Sequence, residues 1–167
     1  MLTLTRKLAA IAVSLSLALP MAAKADPAKG PETVTQTRYG GADSLRCLTE
    51  ALYFEARGEG RSGQRAVAEV ILNRVDSRAF PSSVCGVVNQ RGQFTYNKGR
   101  RMSNAASAAR ARQIAADALA GAPRELTNGA TYFHTTHVRP SWSKRFTRTT
   151  KIGSHIFYRQ GRRVATN

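Results

Sequence analysis

Glu55 is the residue of this chain best placed to move a proton. It ends an apolar run, Leu48, Ala51 and Leu52, whose spacing is helical, and it falls on that same stripe seven residues after Leu48. A carboxylate on the buried side of a helix is either paired with a cation or kept protonated by a raised pKa. Arg57-Gly58 follows at once, where the chain can turn. An acid at the end of a helix beside a bend can deliver its proton to a bound substrate. Periodicity alone accounts equally well for a structural carboxylate paired with Arg57, Arg61 or Arg65. Glu59 reads as a solvated charge, or one favoured near the start of the next helix, and Glu69 as a residue of that helix's polar face.

The elements that must position Glu55 are helices. Apolar residues Ala66, Val67, Val70, Ile71 and Val75 predict a second amphipathic helix opening after Gly63 and packing behind the first. Phe80-Pro81-Ser82 ends it. Val84 to Val88 fits a short helix or a strand. The run NAASAARARQIAADALA, capped by Ser103 or Asn104 and closed at Gly121 with Pro123 beyond, is the clearest helix and carries no chemistry. Thr131 to Val138 and Ile152 to Tyr158 are aromatic and β-branched, and predict short strands or extended arms flanking a polar loop around Trp142.

The first 25 residues have the pattern of an export signal. Arg6 and Lys7 precede the apolar run LAAIAVSLSLALP, and Ala23-Lys24-Ala25 fits cleavage before Asp26. The run is too short for a comfortable membrane span, so no stable span is expected after cleavage. Residues 26–41, rich in Pro, Gly, Thr and Lys, read as a disordered leader, and residues 42–167 as one domain. The whole chain carries a formal charge of +16, and loss of Arg6, Lys7 and Lys24 with the signal leaves +13. Such a field attracts polyanions. Outside the cytosol these are cell wall and anionic surfaces rather than nucleic acid, and the basic residues are scattered, which implies a diffuse, salt-sensitive attraction. Cys47 and Cys85 are the two cysteines. In an oxidising compartment such a pair suggests a disulfide, worth roughly 2–4 kcal/mol, enclosing both helices around Glu55.

His134, His137 and His155 are the three histidines. They invite a metal hypothesis, but no H-E-x-x-H arrangement is present, and residues three apart on a strand face opposite ways. Neither metal nor cofactor is expected. A Gln beside two aromatics, as in Gln93-Phe94-Thr95-Tyr96, suits sugar binding; burial of Phe94 as an anchor under a surface turn is the equal alternative.

The segments YFEARGEGRSGQRAVAEVILNRV, FPSSVCGVVNQ, GQFTY, HVRPSWS and KIGSHIFY, in that order between Cys47 and Tyr158, resemble the SleB/CwlJ-type cell wall hydrolases. The resemblance implies an α+β, mostly helical, lysozyme-like or lytic-transglycosylase-like single domain with short C-terminal strands. It also implies cleavage of the peptidoglycan glycan strand, with Glu55 as the catalytic acid. It places Tyr53, Gln93, Phe94, Thr95, Tyr96, His134, Trp142 and His155 along a saccharide groove. Gly92 and Asn97 stand where many relatives carry a second cysteine pair. The expectation is therefore an exported, periplasmic or secreted monomer, associated with the anionic cell-wall surface, that cleaves peptidoglycan by the one-acid route of a lytic transglycosylase. The alternative is a wall-binding protein without turnover.

Overall fold

The computed structural model describes residues 39–161. The expected export signal and most of the expected leader lie outside that range. Helix α1, Ala42–Ala56, buries Leu48, Ala51 and Leu52 completely, as their spacing requires. It ends at Arg57, and the Glu59 N–H bonds to the Ala56 carbonyl at 3.0 Å. Gly58 does not take a left-handed conformation there, so the helix stops without the glycine cap its position suggests. Helix α2, Arg61–Val75, begins two residues before Gly63. Gly63 sits inside the first turn because a Cβ at that position would come within 2.6 Å of Glu59 Cβ.

Helix α2 is the centre of the molecule. One side, with Val67, Ala68, Ile71 and Leu72, packs into the larger core shared with α1, helix α3 (Val84–Asn89) and helix α4 (Ala105–Leu119). Its other side places Ala66 and Val70 against Ala130 and Phe157 of the C-terminal part. Being covered on both sides, α2 has little solvent-facing surface. Glu69 is therefore not on a solvated face, contrary to the sequence reading: it is 4% exposed. Its carboxylate accepts the N–H groups of Leu126 and Thr127 at 3.2 and 3.0 Å and the Thr127 hydroxyl at 3.0 Å. A buried carboxylate with three donors is satisfied by them and is structural.

Segment 84–88 is helical. Ser83 caps α3 by accepting from the Gly86 N–H at 3.0 Å, and Val84, Val87 and Val88 are buried. Cys47 and Cys85 form the disulfide, with their Cα atoms 5.3 Å apart, and so fasten α3 to α1. Asn104 rather than Ser103 caps α4, accepting from the Ser107 N–H at 2.8 Å. Helix α4 packs chiefly on α1, burying Ala111, Ile114 and Ala115, the two alanines allowing close approach.

The C-terminal part is an antiparallel sheet of β1 (Tyr132–Thr135), β2 (Thr147–Ile152) and β3 (His155–Arg159), in the order β1-β3-β2. The sequence reading merged the end of β2 with β3. Ile152 instead pairs with His155 across a tight turn at Gly153-Ser154, where Gly153 has φ 56°. Strand β2 escaped notice because TRTTKI is polar: as a sheet edge it needs no apolar alternation. Tyr39 is 7% exposed and belongs to the core, and its hydroxyl donates to Asp76 Oδ2 at 3.2 Å. The folded domain thus starts before Gly41, and the last residues assigned to a leader are part of it.

Candidate active site

The end of α1 meets the loop that follows α3. Glu50, buried on α1, accepts the Gly99 N–H at 2.5 Å and so ties this loop to the helix. Glu55, one and a half turns further on, is half-buried, and no hydrogen bond or ion pair among the described residues engages its carboxylate. Burial raises its affinity for a proton, with the positive charge of Lys98 acting in the opposite sense. The Lys98 ammonium lies 3.6 Å from the centre of the Tyr96 ring and donates to the Phe94 carbonyl at 3.4 Å. Burial lowers the Lys98 pKa, while Glu50 and Glu55 support its charge. The Tyr96 ring stacks on Phe54 at 4.9 Å. Its hydroxyl is raised by burial and by the negative charges of Glu50 and Glu55, so it stays protonated.

Lys98 links the loop of Phe94 and Tyr96 to the side of α1 that carries Glu55. Gln93 and Thr95 are exposed on the same loop. Phe94 is buried and serves as the loop's anchor, within 6.5 Å of Phe133 and 5.7 Å of the Arg74 guanidinium. Arg74, to which the sequence reading assigns no role, is buried, donates to the Thr131 carbonyl at 2.6 Å, and has its pKa lowered to about 10 by desolvation. It therefore props the loop and the sheet on α2.

Other residues expected along a groove are packed inside the fold. Tyr53 is 1% exposed, and its hydroxyl accepts from the Asn104 N–H at 3.0 Å and from Arg57 at 3.3 Å. His134 is 8% exposed; one ring nitrogen lies 3.0 Å from the Tyr158 hydroxyl and the other 2.8 Å from the Thr135 carbonyl. Trp142 is half-buried in a cluster with Tyr132, His134, Phe146 and Tyr158. His155 is buried against Phe133, at 5.2 Å between ring centres. The tertiary packing thus gives Tyr53, His134 and His155 neighbours within the protein, and they offer little surface to a ligand.

Glu59 is the largest departure from the sequence reading. It is not a solvated charge. Its carboxylate accepts the Ser154 N–H at 3.2 and 3.3 Å and the Ser154 hydroxyl, and it lies 3.6 Å from His155 Nδ1. A Cβ at Gly153 would overlap this carboxylate, so glycine there is required both by space and by its positive φ. Desolvation lowers the His155 pKa, against the pull of Glu59, which favours the neutral ring near neutral pH. The Glu59 latch joins the α1–α2 turn to the β2–β3 turn. Nothing in the local sequence signals it, because its partner is 95 residues away.

A mostly helical domain with a small antiparallel sheet at its C-terminal end, and a half-buried glutamate with an aromatic, basic loop beside it, is of the lysozyme-like α+β class. The chain belongs to the Cell Wall Hydrolase family, whose model matches residues 58–158. It is 36% identical over 130 residues to the spore cortex-lytic enzyme of Halalkalibacterium halodurans, and 35% identical over 133 residues to that of Bacillus subtilis. These matches take in 75% and 78% of this chain but 38% and 43% of those enzymes, so the chain spans about two-fifths of their length. The catalytic domain of the Bacillus cereus SleB protein superposes with a TM-score of 0.58 at 32% identity, covering 72% of this chain and 92% of that one. The catalytic domain of the germination-specific lytic transglycosylase SleB from Bacillus anthracis gives 0.59 at 31% identity, covering 72% and 97%.

Proposed function

We propose that this chain is an exported enzyme that cleaves the glycan strand of peptidoglycan, with Glu55 as general acid and then general base. The observation that carries the reading is the state of four glutamates. Between Ala42 and Val75 the chain holds Glu50, Glu55, Glu59 and Glu69, and Glu55 is the one whose carboxylate has no donor of its own. Burial raises its proton affinity. The family match begins at residue 58, so the assignment of Glu55 rests on this geometry and on the segment around it.

In the reaction proposed, Glu55 gives its proton to the glycosidic oxygen as the bond from that oxygen to the muramic acid anomeric carbon breaks. The 6-hydroxyl of the same muramic acid attacks the anomeric carbon, and its proton passes to the Glu55 carboxylate. A 1,6-anhydro end results, no water is consumed, and the acid is regenerated. The two-carboxylate schemes need a second carboxylate free to act as nucleophile or base across the bond. Glu50, Glu59 and Glu69 are each engaged by backbone donors, which favours the one-acid route. Lys98 supports the ionised form of Glu55 that follows proton transfer.

The pattern of residues 1–25, the basic charge and the disulfide all accord with action outside the cytosol. Mass spectrometry of muropeptides released from purified peptidoglycan tests the reaction. Fragments lighter by one water than hydrolysed ends are expected. Hydrolysed ends would replace transglycosylation by hydrolysis, and an absence of released fragments would leave a wall-binding protein.

A further inference from the structure

Beside the acid lies a cavity of about 230 Å³ lined by Tyr53, Phe54, Arg57, Tyr96, Arg100, Arg101 and Ser103. It shares its wall with the site described above, since Tyr96 carries Lys98 over its ring and also faces this cavity. Its lining holds three guanidinium groups and no carboxylate. Arg57, Arg100 and Arg101 are all exposed, and no described acidic side chain pairs with any of them.

The back of the cavity is fixed. The Tyr53 hydroxyl holds Arg57 at 3.3 Å, the Arg57 guanidinium lies 5.4 Å from the Tyr53 ring centre, and the Asn104 N–H anchors the same hydroxyl from the start of α4. Phe54 and Tyr96 supply a stacked apolar side. Convergent guanidiniums over an aromatic floor recognise a carboxylate borne on a partly apolar chain, because the forked donors match its two oxygens.

Building on the proposed function, we infer that this cavity is a subsite for the carboxylate-bearing stem peptide attached to muramic acid, adjoining the bond that Glu55 cleaves. Glu55 does not itself line the cavity; Tyr96, which does, also lies in the field of the Glu55 carboxylate, so the lactyl-peptide branch of a muramic acid at the acid has one ring to pass to reach this wall. The subsite would distinguish peptide-bearing from peptide-stripped glycan, a choice that the acid alone cannot make.

Equilibrium binding tests this without turnover. The inactive Glu55→Gln chain is titrated calorimetrically with a soluble peptide-bearing glycan fragment and with the same fragment after its peptides have been removed by an amidase. The peptide-bearing fragment is expected to bind about tenfold more tightly, as charge-assisted hydrogen bonds to a carboxylate allow. Adding Arg100→Ala and Arg101→Ala should erase that preference and leave binding of the stripped fragment unchanged, while Lys at both positions should restore part of it. Equal binding of both fragments, or loss of both together in the Ala variants, would overturn the subsite. So would inorganic phosphate displacing the peptide-bearing fragment at lower concentration than acetate does, which would mark the cavity as a phosphate site. The parent's turnover on either substrate is a separate readout that bears on the proposed reaction alone.

Discussion

Glu55 and Glu59 stand one helical turn apart at the same bend, and the fold treats them in opposite ways. Glu59 is clasped by Ser154, faces His155 and lies against two glycines that make room for it. Glu55 has an aromatic and basic loop beside it but no donor to its oxygens. The first is fully used within the protein and stabilises it. The second has no donor among the described residues and a raised proton affinity, which is the state from which a proton can be given away. In the proposed reaction, the partners that the fold withholds from Glu55 are what make it reactive.

The contrast is broken most directly at Glu55. Glu55→Gln keeps the shape and removes the proton, so clearance of a peptidoglycan suspension should fall roughly 10²–10⁴-fold. Thermal melts of the same protein supply the control. Because burial raises the proton affinity of Glu55, ionising it in the folded chain costs stability once the pH passes above the ordinary carboxylate range. The Gln variant has no such cost. It should melt at or above the parent near neutral pH, and the two should converge in acid, where both side chains are neutral. Unimpaired clearance would return Glu55 to a structural role.

The brace on the Glu55 side comes next. Replacing Cys47 and Cys85 by Ala frees α3 from α1 and should cost roughly 2–4 kcal/mol in denaturant unfolding. The parent, denatured without reductant, should show no thiol reactive to a colorimetric reagent; two reactive thiols per chain would show that the bridge does not form.

On the opposite side, Glu59→Ala strands the Ser154 N–H and should cost roughly 1–3 kcal/mol, with turnover per folded molecule changed only a few-fold. Glu59→Gln retains an acceptor oxygen and should cost less. If folded Glu59→Gln were as inactive as Glu55→Gln, Glu59 would be a second catalytic carboxylate and the comparison would fail.

The smallest effect is expected at Lys98. Its charge opposes the upward push of burial on Glu55, with Glu50 and Tyr96 the other titratable groups around it. Lys98→Met should therefore raise the Glu55 pKa further and move the alkaline limb of the pH–rate profile to higher pH, because the acid must be protonated to act. Lys98→Arg should leave the limb in place. A limb that moves down in Lys98→Met would mean that another group governs it.

The sequence by itself determined the three long helices, the stripe that carries Glu55, a cap at Ser103 or Asn104 and the cysteine pair. Each of these follows from residues close in the chain, or from there being no other partner to choose. The family resemblance added the order of the motifs and the α+β class. Only the tertiary structure decided the fate of the remaining charged and aromatic residues. Helix α2 looks amphipathic on its own, yet the sheet covers its polar side and turns Glu69 and Arg74 into buried links. Glu59 looks like a surface charge until β3 brings Ser154 to it. Tyr53, His134 and His155, chemically suited to a sugar, are drawn inside by rings and donors from distant segments. Periodicity reports which side of one element avoids water. Which element then covers it is set by long-range packing, and no local pattern encodes that.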